Sequence, residues 1–278
     1  MTIQQQFQVP PIRNAYSADL AKYGRDVVAY WFEMDHPFEG HRTLEEHFEI
    51  YLDRYQWRKI LRPNTTIVDI GAHSGDTSII MAAMSGGTVL AVECNPEIKV
   101  WLDFAAHMNR HLAKIVTASE AVTTENTVLT FADHGNGMCN GGLTGSAWSV
   151  GTQNSVPRGS SIQVQGLTLE TMLSRYLTAE EIDNIDLIKT DTEGHDFEIL
   201  RNSRELINRI RPKIFAEWFN FFDDEDIAKM FDVINELDYV ALYPETFAFA
   251  TPSVKSEDLL LIHRSQVDAF LAEAAQIK

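Results

Sequence analysis

Thr66-Ile67-Val68-Asp69-Ile70-Gly71-Ala72-His73-Ser74-Gly75-Asp76-Thr77 is the stretch that decides the fold. Thr66 to Ile70 is β-branched, largely apolar and too short for a helix, so it predicts a buried strand. Gly71 and Gly75 bracket a tight turn. Asp76 and Thr77 are residue types that cap helices, and the apolar run Ile79 to Met84 follows them. A strand, a glycine turn and a helix N-terminus form a cradle in which backbone N–H groups and the helix dipole meet a ligand.

The next strand, Thr88 to Glu93, ends in a carboxylate 22 residues after Gly71. An acid at the tip of the second strand can accept two hydrogen bonds from a ribose diol, so the pair reads as a nucleoside-binding half of an α/β sheet. The glycines are spaced G-x-x-x-G, unlike the G-x-G-x-x-G that cradles a pyrophosphate. Asp69 precedes the turn, where it would repel a phosphate but accept hydrogen bonds from an ammonium. A ligand with a ribose, no phosphate and an amino-acid end fits this pattern, namely S-adenosylmethionine (SAM).

Val68 to Asp76, followed by Val92-Glu93-Cys94-Asn95-Pro96, resembles the class I SAM-dependent methyltransferases, and most of all the FkbM-type family. A second stretch strengthens the resemblance. Ile185 to Thr190 reads as a buried strand interrupted by Lys189, and Asp191 and Glu193 follow at its C-terminal end. Lys189-Thr190-Asp191-Thr192-Glu193-Gly194-His195-Asp196 is similar to the family signature Lys-x-Asp-x-Glu-Gly-x-Glu, with Asp196 in place of the last Glu. Thr168-Leu169-Glu170, before that strand, resembles a further family segment. The likeness runs from about Thr65 to Glu217. It implies a doubly wound, mostly parallel seven-stranded α/β sheet, and beyond the likeness Tyr239–Leu242 and Leu259–His263 read as the closing strands, the antiparallel hairpin typical of class I methyltransferases.

The resemblance also implies a site. Asp69, Gly71, Ala72, His73, Ser74, Gly75, Thr77, Glu93, Cys94 and Asn95 are expected around the cofactor. Ser119, Glu120 and Ala121, after a third strand at Ala113–Thr117, are expected beside the adenine. Asp191 is expected to contact the methionyl ammonium or the acceptor hydroxyl. Glu193 and His195 are further candidates for the proton-accepting group, since methyl transfer to a hydroxyl needs a positioned acceptor and a base. A histidine has an ordinary pKa suited to that task near neutrality. Lys189 reads equally well as a structural partner of these acids. A second, less favoured reading uses Mg²⁺ on Asp191, Glu193 and Glu217, because oxygen-rich sites suit that ion. The expected acceptor is a hydroxyl of a small metabolite, sugar or polyketide-type product, an expectation that comes from the family alone.

Composition bounds the alternatives. The chain has 278 residues, 45% of them hydrophobic, enough for a large core. Its net charge of −17 opposes non-specific binding to nucleic acid and to anionic membranes. Cys94 and Cys139 are the two cysteines and have no metal spacing. The first residues lack the pattern of a signal peptide, and no apolar run is long enough to span a membrane. A soluble, cytoplasmic protein is expected. Two other classes stay open: an NAD-dependent oxidoreductase, opposed by Asp69 and the glycine spacing, and a non-catalytic SAM-binding scaffold.

Residues 1–62 are expected to form an N-terminal helical extension and residues 63–278 the methyltransferase domain. Ala18–Met34 and Leu44–Leu61 carry apolar residues at helix-like spacing. They read as packing on the sheet edge, as a lid or as a homodimer surface. His36, His41 and His47 form no convincing ligand set. The glycine-rich stretch from Gly135 to Gly159, which holds Trp148, reads as a substrate flap or a surface insertion. Phe219, Phe221, Phe222, Phe247 and Phe249 are candidates for an acceptor pocket or for core.

Overall fold

A computed structural model describes residues 14–33, 42–132, 142–143, 161–218 and 222–277. Apart from Gly142 and Leu143, the glycine-rich flap lies outside the described residues, as do His36, His41, Phe219 and Phe221. The described part begins with an antiparallel hairpin, β1 (Asn14–Asp19) and β2 (Val28–Glu33). The helix expected from Ala18 onward is therefore not formed. Asp19 accepts a hydrogen bond from the Ala21 N–H and starts a single 3₁₀ turn, Leu20–Tyr23, which ends on Gly24 at φ 79°. The β-branched and aromatic run from Val27 to Phe32 then favours a strand, because such side chains lose rotamer freedom in a helix.

The second helical expectation holds in pieces. Helix α1 (Leu44–Glu49) starts on a capping box between Thr43 and Glu46. A π-helical turn, Ile50–Arg54, follows, and α2 (Trp57–Ile60) begins after Gln56, which has a positive φ of 55°. Trp31, Leu44, Phe48, Trp57 and Ile60 share one apolar core with Ile67, Ile79 and Phe215 of the sheet and its first helix. The N-terminal elements are thus built into the same core as the sheet.

Strand β3 (Thr66–Ile70) leads through the glycine turn to α3 (Asp76–Ser85), and β4 (Thr88–Val92) leads to α4 (Pro96–Met108) and β5 (Lys114–Ala118). Asn95 caps α4, with Pro96 at the first helical position. Four short strands come next: β6 (Ala121–Val122), β7 (Thr127–Ala132), β8 (Gly142–Leu143) and β9 (Ser161–Leu167). They form a separate sheet in the order β6-β9-β7-β8. Thr168 caps α5 (Leu169–Tyr176), and α6 (Ala179–Asp183) precedes β10 (Ile185–Thr190). The helix expected from Asp196 to Leu206 breaks at Ser203 into α7 (Asp196–Asn202) and α8 (Arg204–Ile210). Strand β11 (Lys213–Glu217), helix α9 (Asp224–Glu236), β12 (Tyr239–Leu242), β13 (Asp258–His263) and α10 (Val267–Ala274) complete the chain.

The main sheet has seven strands in the order β12-β13-β11-β10-β3-β4-β5. Its strands are parallel except β13, which runs antiparallel to both neighbours. This is the expected doubly wound, mostly parallel α/β fold with a C-terminal antiparallel hairpin. The winding reverses between β3 and β10, and a ligand crevice opens where a strand order reverses. The register pairs Ile70 with both Thr190 and Val92, so the residues just beyond them emerge at one sheet edge. No described helix is long and apolar enough to cross a membrane.

Candidate functional site

At that edge lies a cavity of about 280 Å³. Gly71, His73, Thr77, Glu93, Cys94, Asn95, Glu120, Ala121, Asp191, Glu193 and His195 all line it, so most of the expected site residues converge. Asp69, Ala72, Ser74, Gly75 and Ser119 do not line it, and each has another place.

The glycine turn is wedged between two strand ends. Gly71 and Ala72 donate backbone hydrogen bonds to the Val92 carbonyl, at 3.0 and 2.9 Å, and the Asp191 N–H donates to Ile70 at 3.0 Å. Gly71 has φ +77°, and a Cβ there would lie 1.9 Å from the Asp191 carbonyl oxygen. Only glycine permits that approach. Helix α3 starts from Gly75, at φ 94°, without a side-chain cap, which corrects the expected capping by Asp76 and Thr77. Both side chains are used elsewhere. Thr77 Oγ1 donates to Asp69 Oδ2 at 2.8 Å, and Ser78 Oγ donates to the same oxygen at 2.5 Å. Asp69 is fully buried and faces Lys189 Nζ at 3.6 Å from its other oxygen. Its carboxylate therefore fastens the turn from behind and does not reach the cavity.

Glu93 closes the opposite wall. Its two oxygens accept hydrogen bonds from the His73 N–H at 3.0 Å and the Asn95 N–H at 2.7 Å, which orients the carboxylate at the end of β4. Burial pushes its carboxyl up to about 7, against those two donors. Glu120 also lines the cavity but is held from outside by Arg175 and Tyr176, at 2.5 and 2.6 Å. Burial raises its pKa, but Tyr176, Arg175 and backbone N–H donors together hold it below the usual value. Ile98, Ala121, Val122 and Phe131 give this end of the cavity an apolar wall.

The β10 end carries the acids. Lys189 Nζ is 3.1 Å from Asp191 Oδ2, and this buried lysine is the bridge between Asp69 and Asp191. Burial works against its charge, but Asp191 and Asp69 outweigh that and hold its pKa well above the ordinary value. Lys189 thus pairs with two of these acids at once. Glu193 sits at φ 57°, just before Gly194 at φ 94°. Burial, with Asp191 and Asp196 beside it, pushes the Glu193 carboxyl up to about 8. Asp196, the shorter acid in the signature, is buried and accepts from the Thr192 N–H at 3.2 Å, so it closes the turn. His195 Nδ1 lies 2.6 Å from Glu198 Oε2. Burial and Asp191 push Glu217 up to about 11, and it does not line the cavity. Among the described residues, no group of three His, Cys, Asp or Glu side chains is arranged to hold a metal ion.

Some site residues were missed from the sequence. Tyr51, from the π-helical turn, lines the cavity with Lys189 and Asp191. Asp76 lines it too, with His47 Nδ1 at 2.7 Å from Asp76 Oδ2. Trp31 Nε1 donates to Ser74 Oγ at 3.1 Å. A helix-like apolar spacing gives Tyr51 and His47 no functional signal, because the same spacing marks core. Phe247 packs against Phe270, at 5.1 Å between ring centroids, and Phe249 is exposed, so neither lines the cavity.

Solved methyltransferases align with the chain at low sequence identity. Methyltransferase FkbM from Methylobacillus flagellatus KT is 13% identical, with a TM-score of 0.44 over 79% of this chain and 52% of that one. The chain therefore spans about half the length of that protein. The ribosomal protein L11 methylase from Lactobacillus delbrueckii subsp. bulgaricus is 12% identical, with a TM-score of 0.39 over 80% of this chain and 79% of that one. An O-methyltransferase from Bacillus cereus, solved in complex with SAH, is 10% identical, with a TM-score of 0.38 over 81% of this chain and 84% of that one. No curated protein sequence matches the chain. Residues 69–241 match the methyltransferase FkbM domain, which spans both the glycine turn and the β10 acids, and the chain belongs to that family.

Proposed function

We propose that the protein transfers a methyl group from SAM to a hydroxyl of a small molecule. The observation that carries this reading is the convergence of Gly71, Glu93 and Asp191 on one cavity at the strand-order reversal. The residues fit the cofactor. Glu93 presents an oriented carboxylate for a ribose diol, and Gly71 lets the turn close onto the Asp191 carbonyl, which sets the two strand ends at the cavity. Ile98, Ala121, Val122 and Phe131 suit a flat aromatic base. When bound, SAM supplies an electrophilic methyl group on a sulfonium.

The chain's own residues would orient the acceptor and take its proton. Asp191, which accepts a hydrogen bond from Lys189, would accept one from the acceptor hydroxyl as well. Glu193 is the better base, since a pKa of about 8 pairs adequate basicity with a fair ionised fraction near neutrality. This puts Glu193 ahead of Asp191 for proton removal. His195 stands in reserve, one ring nitrogen turned to Glu198. Glu193→Gln is expected to lower turnover by about 10²- to 10⁴-fold while leaving cofactor affinity unchanged. Wild-type turnover is expected to rise with pH through about 8 as Glu193 ionises. A flat pH profile with full activity in the Gln variant would remove Glu193 as the base.

Glu93→Ala is expected to weaken SAM binding by about 1.5–3 kcal/mol, the range for hydrogen bonds to a charged acceptor. Donation from the ribose favours the ionised Glu93, so wild-type affinity should fall as pH drops below about 7. Isothermal titration at pH 6 and pH 8 reads both effects. The deciding experiment for the function is titration with SAM and, separately, NAD, followed by labelled-methyl transfer to hydroxylated and to amine acceptors. Binding of NAD without SAM overturns the reading, and transfer to nitrogen alone overturns the hydroxyl acceptor.

A further inference from the structure

The structure leaves the amino-acid end of the cofactor without the partner that the strand–turn motif suggests. One Asp69 oxygen accepts from Thr77 and Ser78, and the other is buried 3.6 Å from Lys189 without a hydrogen bond, off the cavity lining. Asp76 is different. It opens α3 directly after the glycine turn and is a lining residue of the cavity, as Asp191 is. His47, on α1, lies 2.7 Å from one Asp76 oxygen and is packed in turn against Trp31, at 5.0 Å between ring centroids. Trp31 also donates to Ser74 of the turn. Two side chains from outside the matched family domain therefore reach the same short turn and fix it.

Lys189 is shared between Asp69 and Asp191, while Asp76 is paired with His47, so each carboxylate at this end is oriented by its own partner. Burial opposes it, but His47, with His73 and Lys189, holds the Asp76 carboxyl down at about 2, so it is ionised near neutrality.

We propose that Asp76 is the residue that binds the ammonium of the cofactor's amino-acid end, and that His47 positions Asp76 for it. This rests on the SAM reading of the same cavity. It gives the N-terminal segment a working part in the site and leaves Asp191 to the acceptor.

The test is a chemical cycle with S-adenosylhomocysteine and its deamino analogue, in which hydrogen replaces the ammonium. Wild-type protein should prefer S-adenosylhomocysteine by about tenfold or more, the scale of one charge-assisted hydrogen bond. In Asp76→Asn that preference should collapse, with affinity for the deamino analogue retained. His47→Leu should reduce the preference, and His47→Asn, which keeps a donor near the Nδ1 position, should restore much of it. A packing role for His47 would not show that recovery. Equal loss of both ligands in Asp76→Asn, or an unchanged preference in it, overturns the assignment, as does a wild-type protein with no preference. A wild-type protein that binds neither ligand fails at the earlier step, and the cofactor reading falls with it.

Discussion

Gly71→Ala is expected to cost about 3 kcal/mol or more of folding stability and to abolish cofactor binding, by summing left-handed strain and overpacking. The added Cβ would sit 1.9 Å from the Asp191 carbonyl oxygen and 2.9 Å from its carbon, inside van der Waals contact with backbone that no rotamer change can move. Relief requires that the ends of β3 and β10 separate. That breaks the Asp191-to-Ile70 hydrogen bond and shifts Asp191 away from Glu93. Gly24→Ala is the matched control. Gly24 has φ +79°, close to that of Gly71, yet a Cβ there meets nothing within 4 Å. It should cost only the conformational term, roughly 1 kcal/mol. Urea denaturation of both variants and titration with S-adenosylhomocysteine separate strain from collision. If the two variants lose equal stability, the close approach of Gly71 to Asp191 is not what holds the site.

The parts of this site that were legible in the sequence are those fixed by strand ends. Gly71, Glu93 and Asp191 follow β-branched strands, and a parallel sheet must bring such positions to one edge whatever the rest of the chain does. Asp69 was legible as important but not in its role. It sits one register step inside the strand tip, opposite Lys189, and burial at that level turns a ligand contact into a structural one. The N-terminal region misled for a different reason. Tyr23, Val27 and Trp31 fit a helical period, but Gly24 ends the turn and the Val27-to-Phe32 run pairs as a strand. Local spacing cannot weigh a partner strand that the chain supplies from Asn14 to Asp19. His47 and Tyr51 were silent because their value comes from what α1 and the π-helical turn are packed against, which no spacing encodes.

Lys189→Met is the second large effect, expected to cost about 3–5 kcal/mol near pH 8, the range for removing one partner of a buried ion pair. The lysine is 3% exposed and Asp69 is 0% exposed, so water cannot replace the lost charge. The pH dependence has a definite sign. Burial raises the folded-state pKa of Asp69, although Lys189, Ser78 and Thr77 oppose it. A carboxyl with a raised folded pKa contributes stability that is full below its unfolded value and is lost as pH rises through the folded one. Without Lys189 the folded value climbs further, so the loss grows over a wider range at higher pH. The deficit of Lys189→Met relative to wild type should therefore be largest in neutral and alkaline buffer and shrink in acid, where Asp69 is protonated in both. Adding Asp69→Asn removes the stranded charge but keeps acceptor capacity for Thr77 and Ser78, and the double variant should recover part of the lost stability. Denaturation of the four proteins at pH 5 and pH 8 reads the coupling. A deficit independent of pH, or no recovery in the double variant, would show that Lys189 stabilises by packing alone and that Asp69 does not depend on its charge.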